Sequence, residues 1–365
     1  MIKHSDHFHG SDLETIEKIY GIKKEDIVSF SANVNPLGIS PKLKSTLAER
    51  IDAIMSYPDR EYTNLRKRIA EYVRTDLENI IVGNGSTELI SLFIQIKRPK
   101  KALIIGPTYS EYEREISLGG GAARYYRLEE ENDFALDIQK LETELTKDVD
   151  LLVICNPNNP TSTAIARTDM RKILDICKQK GIFVMVDETY VEFAEDVQKI
   201  TSVPLTSYYN NIIILRGISK FFAAPGLRLG YAICGNTDLL KEINQRKNPW
   251  TINSLAAIAG EIMFSDEQYI KDTRNLIAGE RTRICSILST CKNLHYYVPT
   301  ANFILVKILK EEVTSMDLFE AAIRKGLMLR DCSTFPFLNN KFIRFCFMKP
   351  EFNDTLLNVI LEALN

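Results

Sequence analysis

At 365 residues the chain is long enough to bury a sizeable core and, by length, to divide into two domains. Its 45% hydrophobic and 26% charged content are those of an ordinary globular protein, and a formal net charge of -2 argues against a nucleic-acid binder, which needs a basic excess. No apolar run approaches the ~20 residues that span a bilayer, and the polar start MIKHSDHFHGSD lacks the apolar stretch of a signal peptide, so a cytoplasmic protein with no membrane partner is expected.

In chain order, residues 12–20 read as an amphipathic helix capped by Asp12, followed by a short strand, IVSFS, that runs into an Asn/Pro/Gly turn. Leu43 to Met55 reads as helix, Tyr57-Pro58-Asp59 as a break, and Tyr62 to Tyr72 as helix again. Strand and helix then alternate. Ile80 to Val82 is a strand whose glycine turn, Gly83-Asn84-Gly85, feeds a helix opening at Ser86-Thr87-Glu88. Strands follow at 101–105, 123–126, 151–155, 183–186 and 212–215, with helices between them at 109–118, 138–145 and 168–180. Beyond Tyr231 helices are expected at 239–246, 254–264 and 267–288. The tail reads as strand 302–307, helix 317–325, strands 327–330 and 341–347, and helix 354–364.

Continuous apolar strands alternating with helices mean an α/β fold, a mostly parallel sheet sandwiched by helices, here with a smaller α/β domain at the C-terminus. The expected division is an arm and substrate loop at 1–40, a large domain at 41–245 and a small domain at 246–365. The seven cysteines are scattered without a C-x-x-C pair, and His4, His7 and His9 have no Cys or Glu cluster beside them, so neither disulfides nor a metal site is expected.

Ligands of such sheets bind at the carboxyl ends of the strands, and that is where the chemistry-bearing residues fall. Lys220 follows the 212–215 strand among aromatics, where lost solvation lowers the pKa of an amine and makes it an imine-forming nucleophile. Ser219 and Arg228 offer a hydroxyl and a forked cation to one phosphate. Gly85, Ser86 and Thr87 add the free N–H groups of a helix N-terminus. Each piece alone also fits a plainer role: a solvated lysine in a loop, an ordinary Gly-Asn-Gly turn. Together with Asp187 to pair with a protonated pyridine nitrogen, Tyr190 and Asn159 to donate to a phenolate oxygen, and Tyr109 to stack on a flat ring, they describe a site for pyridoxal phosphate.

The stretches GNGSTE, PTY, NPNNPT, DETYVEF, SKFFAAPGLRLGY, PTANFILV and FIRF resemble the pyridoxal-phosphate-dependent fold-type I enzymes, aminotransferase class I/II, over nearly the whole chain. Within them the chain looks like the branch that holds threonine-phosphate decarboxylases and histidinol-phosphate aminotransferases. The resemblance implies Lys220 as the catalytic, cofactor-bearing residue and a homodimer in which Tyr57 reaches the neighbouring subunit's cofactor phosphate. It also implies that His9, Gly10, Asn33, Asn159, Arg330 and Arg344 hold a small phosphorylated amino acid. The His9-Gly10 start, the FSANVNPLG loop and the PWTIN and RDCSTFP stretches favour decarboxylation of L-threonine O-3-phosphate to aminopropanol phosphate for cobalamin, with transamination of histidinol phosphate or an aromatic amino acid as the alternative. Four positions depart from the family pattern: Ser162 stands for a glycine, Gly217 for a hydroxyl residue, and Ser11-Asp12 for Gly-Asn.

Overall fold

The structure is a computed structural model that describes residues 12–365. Its strands are β1 (Val28–Ser29), β2 (Ile80–Gly83), β3 (Lys101–Gly106), β4 (Ala122–Arg127), β5 (Leu151–Cys155), β6 (Phe183–Asp187), β7 (Ile212–Gly217) and β8 (Gly230–Ile233). The C-terminal part adds β9 (Leu294–Tyr296), β10 (Phe303–Ile308), β11 (Leu327–Met328), β12 (Arg330–Asp331) and β13 (Phe342–Cys346).

Seven strands form the large sheet in the order β2-β8-β7-β6-β5-β3-β4. The five from β7 to β4 run parallel, whereas β8 is antiparallel to both its neighbours. The α/β class and the mostly parallel sheet are therefore as expected. Side chains alternate between two apolar cores, one on each face: Val184 and Val186 of β6 point to one, Phe183 and Met185 to the other. Strands buried on both faces have no use for polar residues, which is why they read as unbroken apolar runs.

A four-stranded antiparallel sheet, β12-β13-β10-β9, follows in the C-terminal part. Its core is continuous with one face of the large sheet. The N-terminal segment is tied to the C-terminal part by β1, which pairs in parallel with β11 in a separate two-stranded sheet. Helix Ser254–Met263, beyond the expected boundary at 245/246, packs on helices Pro41–Glu49 and Thr63–Val73.

Several element readings are corrected. Leu43 to Met55 is a helix, Pro41–Glu49, followed after Arg50 by a separate 3-10 turn, Ile51–Met55. Leu327 to Arg330 divides between two sheets, because the chain leaves β11 and pairs anew as β12. The sequence reading missed β8 and β9. β8 is hidden because it follows the Gly-Leu-Arg-Leu-Gly turn so closely that only a single 3-10 turn, Pro225–Leu227, and no α-helix separates it from β7. Asp12 does cap its helix, its carboxylate accepting the Thr15 N–H at 3.2 Å.

Candidate active site

A cavity of ≈ 370 Å³ opens at the carboxyl ends of the parallel strands, a size suited to a small-molecule ligand. Its floor comes from β5, β6 and β7. Register puts Cys155 beside Asp187 and Asp187 beside Leu215, so the strands end level and their next residues converge. Behind them Glu188 and Arg216 form a fully buried ion pair at 2.8 Å, completed by Thr201 and the Ser202 N–H. This pair joins the ends of β6 and β7, the strands that present Asp187 and Lys220.

Asp187 is buried and accepts three hydrogen bonds: Tyr112 Oη at 2.6 Å, Thr189 N–H at 2.9 Å and Thr189 Oγ1 at 2.5 Å. Burial pushes its pKa up, against these donors, which favour the charged form. A buried carboxylate in this state gains from a cationic partner. Lys220 is the cavity's amine. Its Nζ donates to the Ala32 carbonyl at 2.6 Å, and its pKa is pushed down to about 8, first by burial and then by the charge of Arg344.

At one end of the cavity the helix Gly85–Lys97 begins with no side-chain cap, and Ser86 and Thr87 of its first turn line the wall. Arg228 and Ser219 face the same cavity. Gly85 has φ 78°, and a Cβ there would stand 2.5 Å from Arg228 Nη2, so only glycine lets the guanidinium lie against the helix start. Gly217 lines the cavity as well; a Cβ there would meet nothing closer than 3.6 Å.

The opposite wall belongs to the small sheet and the N-terminal loop. Arg330 and Arg344 are direct cross-strand partners on β12 and β13, both buried. Arg344 donates to the Asn159 side-chain oxygen and, at 2.6 Å, to the Ser31 carbonyl, while its Nε has no partner among the described residues. It makes no ion pair among the described residues. Arg330 donates to Thr334 at 2.9 Å, and its pKa is lowered by burial and then by Arg344. The two buried guanidiniums make this wall cationic, and Arg344 brings its charge there without an ion pair among the described residues. Asn33 is buried at φ 56°, donates to Tyr190 Oη at 3.5 Å and has no partner for its own Oδ1 among the described residues.

Of the residues expected from the sequence, the cavity gathers Ser86, Thr87, Tyr109, Asn159, Asp187, Tyr190, Ser219, Lys220, Arg228, Asn33, Arg330 and Arg344, with Gly85 directly behind Arg228. Tyr57 is elsewhere: it is 79% exposed in an apolar surface groove, its ring 4.8 Å from that of Trp250. His9 and Gly10 lie outside the described residues. Residues that the sequence reading missed are Tyr112, Thr189, Ala32, Ser31 and Thr334. Tyr112 was within reach, since a helix expected to start at Tyr109 would put the residue three positions later on the same face; the helix itself is Glu111–Leu118, and the two rings meet edge-on at 5.7 Å. The Ala32 and Ser31 contributions are carbonyls and carry no sequence signal.

The fold and cavity define an α/β enzyme site in which an amine of lowered pKa and a buried carboxylate sit between two cationic ends. The chain matches the model of aminotransferase class I and II over residues 25–360 and belongs to that family. It is 36% identical over 329 residues, 90% of this chain and 88% of the relative, to a Caldanaerobacter subterraneus subsp. tengcongensis protein provisionally named a threonine-phosphate decarboxylase. It is 30% identical over 356 residues, 98% of this chain and 96% of the relative, to the threonine-phosphate decarboxylase of Salmonella typhimurium. Among solved structures, the histidinol-phosphate aminotransferase of Clostridium acetobutylicum superposes with a TM-score of 0.86 at 30% identity, covering 92% of this chain and 98% of that one.

Proposed function

We propose that the protein is a pyridoxal 5'-phosphate-dependent decarboxylase of an O-phosphorylated hydroxy amino acid, L-threonine O-3-phosphate foremost, releasing CO2 and aminopropanol phosphate for cobalamin synthesis. The observation that carries this reading is the pairing of two cationic ends across one lysine-bearing cavity. One end fits the cofactor's phosphate and the other fits a substrate that is itself multiply anionic.

The residues present fit the cofactor. Ser86, Thr87, Ser219 and Arg228 would hold its phosphate, with Gly85 giving Arg228 room. Asp187, a buried carboxylate with no ion pair among the described residues, would pair with the ring nitrogen. Asn159 and Tyr190 would donate to the phenolate oxygen, and Tyr109 would cover the ring. When bound, pyridoxal phosphate supplies an electron sink for the charge left at the substrate's Cα.

Lys220 has two tasks. As a neutral amine it would hold the cofactor by its aldehyde carbon, and its pKa of about 8 keeps a workable neutral fraction at physiological pH. The same amine would return a proton to the substrate's Cα. Arg330 and Arg344 bind the substrate's anionic groups, joined by Asn33 and by His9 and Gly10 of the arm. How this wall turns the carboxylate decides which Cα bond breaks. The protein's apolar groove at Tyr57, with Met55 82% and Ile54 63% exposed, supports a homodimer in which Tyr57 completes the partner's phosphate site. We place the enzyme in the cytoplasm: seven free cysteines fit a reducing compartment, and no described helix is long and apolar enough to cross a membrane.

The likeness to a histidinol-phosphate aminotransferase favours a second reading, transamination. Product analysis of the holoenzyme with L-threonine O-3-phosphate and no keto acid separates them. Sustained release of CO2 and aminopropanol phosphate is the expected result. Conversion of the cofactor to its amine form without CO2 would establish the aminotransferase instead.

A further inference from the structure

Ser162 is fully buried, yet its backbone is left-handed, φ 61°. That region is strained for a residue with a side chain and open to glycine. A serine persists there because its hydroxyl does something glycine cannot: Oγ accepts the Ala301 N–H at 3.0 Å. The Ser162 carbonyl accepts the neighbouring Thr300 N–H at 2.9 Å. One residue of the loop after β5 thus holds two consecutive amides of the segment that enters β10.

Both sides of this junction lead to the cavity. On the loop side, Ser162 N–H bonds the Asn158 carbonyl at 2.7 Å and the Asn158 N–H bonds the Thr163 carbonyl at 2.8 Å, closing the turn that presents Asn159. On the other side, Arg281 Nη2 bonds the Thr300 and Ala301 carbonyls, each at 3.0 Å. The next residue, Asn302, donates to the Asn33 carbonyl at 3.0 Å. Phe303 then packs edge-on to Tyr190 and beneath the Arg344 guanidinium, 5.4 Å from its centre. Ser162 itself does not line the cavity.

We infer that Ser162 is a positioning residue: its hydroxyl sets the distance between the Asn159 wall and the Asn33–Arg344 wall, and so the seat of the substrate's anionic group. This rests on the proposed reading of the cavity as a site for a phosphorylated substrate. With glycine at 162 the Ala301 N–H loses its side-chain acceptor, the strain disappears and the arginine wall is freer to shift.

The test uses Ser162→Gly holoenzyme, which should fold, since the backbone strain relieved roughly offsets the hydrogen bond lost; a Tm within about 4 °C of wild type is expected. Inorganic phosphate, titrated calorimetrically with the cofactor already in place, reads the arginine wall without any turnover. It should bind about fivefold more weakly than to wild type, the factor one net hydrogen bond is worth, and KM for L-threonine O-3-phosphate should rise by more than kcat falls. In an Arg344→Gln background the same substitution should change phosphate affinity less than about twofold, because no guanidinium is left to misplace. Wild-type phosphate affinity in Ser162→Gly would overturn the inference, as would a full additive loss in the Arg344→Gln background. Absence of phosphate binding in the wild-type holoenzyme would instead overturn the phosphorylated-substrate reading, and the inference with it.

Discussion

Asp187→Asn is nearly isosteric, so it isolates charge from shape. In the protein the carboxylate takes three hydrogen bonds from Tyr112 and Thr189. An amide keeps one oxygen for Thr189 and turns its NH2 toward Tyr112 Oη, which can accept, so the contacts persist but lose their charge assistance. The larger loss is electrostatic. A contact ion pair at ~4 Å and an effective dielectric of ~20 is worth about 4 kcal/mol, or about three orders of magnitude in affinity. The apoprotein should respond in the opposite sense. Burial raises the Asp187 pKa, so folding favours the protonated form, and stability is lost as pH rises from the ordinary carboxylate range through the raised value. Asparagine removes that penalty, and the variant apoprotein should be at least as stable as wild type at pH 7. The assay is reconstitution of apoenzyme followed by cofactor absorbance, with thermal unfolding of the apo forms alongside. A cofactor affinity and a turnover within about threefold of wild type would refute the reasoning, since a contact charge pair is worth far more than that.

Lys220→Ala should abolish borohydride-trappable attachment of the cofactor and cut turnover by at least about a thousandfold, with circular dichroism unchanged; full activity would remove Lys220 from its assigned role. In wild-type apoenzyme the attachment rate should rise with pH and level off above about 8, where the amine is already neutral; a rate that keeps climbing toward the ordinary lysine value would mean Lys220 is not desolvated. Gly85→Ala should weaken cofactor binding and lower stability by ~1–2 kcal/mol from its left-handed backbone alone, with displacement of Arg228 added; the check is a Tm and cofactor titration. Arg344→Gln should raise KM for the phosphorylated substrate by at least about tenfold, the cost of losing charge-assisted bonds, while leaving cofactor affinity near wild type; steady-state kinetics and reconstitution together would show otherwise.

The amino-acid sequence by itself determined the parallel part of the large sheet and the residues that follow its strands. Both depend on local pattern: a strand buried on two faces must be apolar along its length, and a glycine turn before a helix exposes amides wherever it occurs. Lys220, Asp187, Asn159 and the Gly85–Thr87 turn were legible for that reason. Tertiary structure decided which groups meet them. Tyr112 reaches Asp187 across 75 positions, the Ala32 carbonyl reaches Lys220 across 188, and Arg344 reaches Asn159 across 185. It also placed Arg330 opposite Arg344, by breaking one expected strand into β11 and β12 so that the second half could pair with β13. The Ser162–Ala301 bond likewise spans two elements, and only packing could show that a serine out of place in the family pattern has a partner. Such contacts come from how whole elements dock, where backbone carbonyls and cross-strand register count as much as side chains, and neither leaves a periodic trace along the chain.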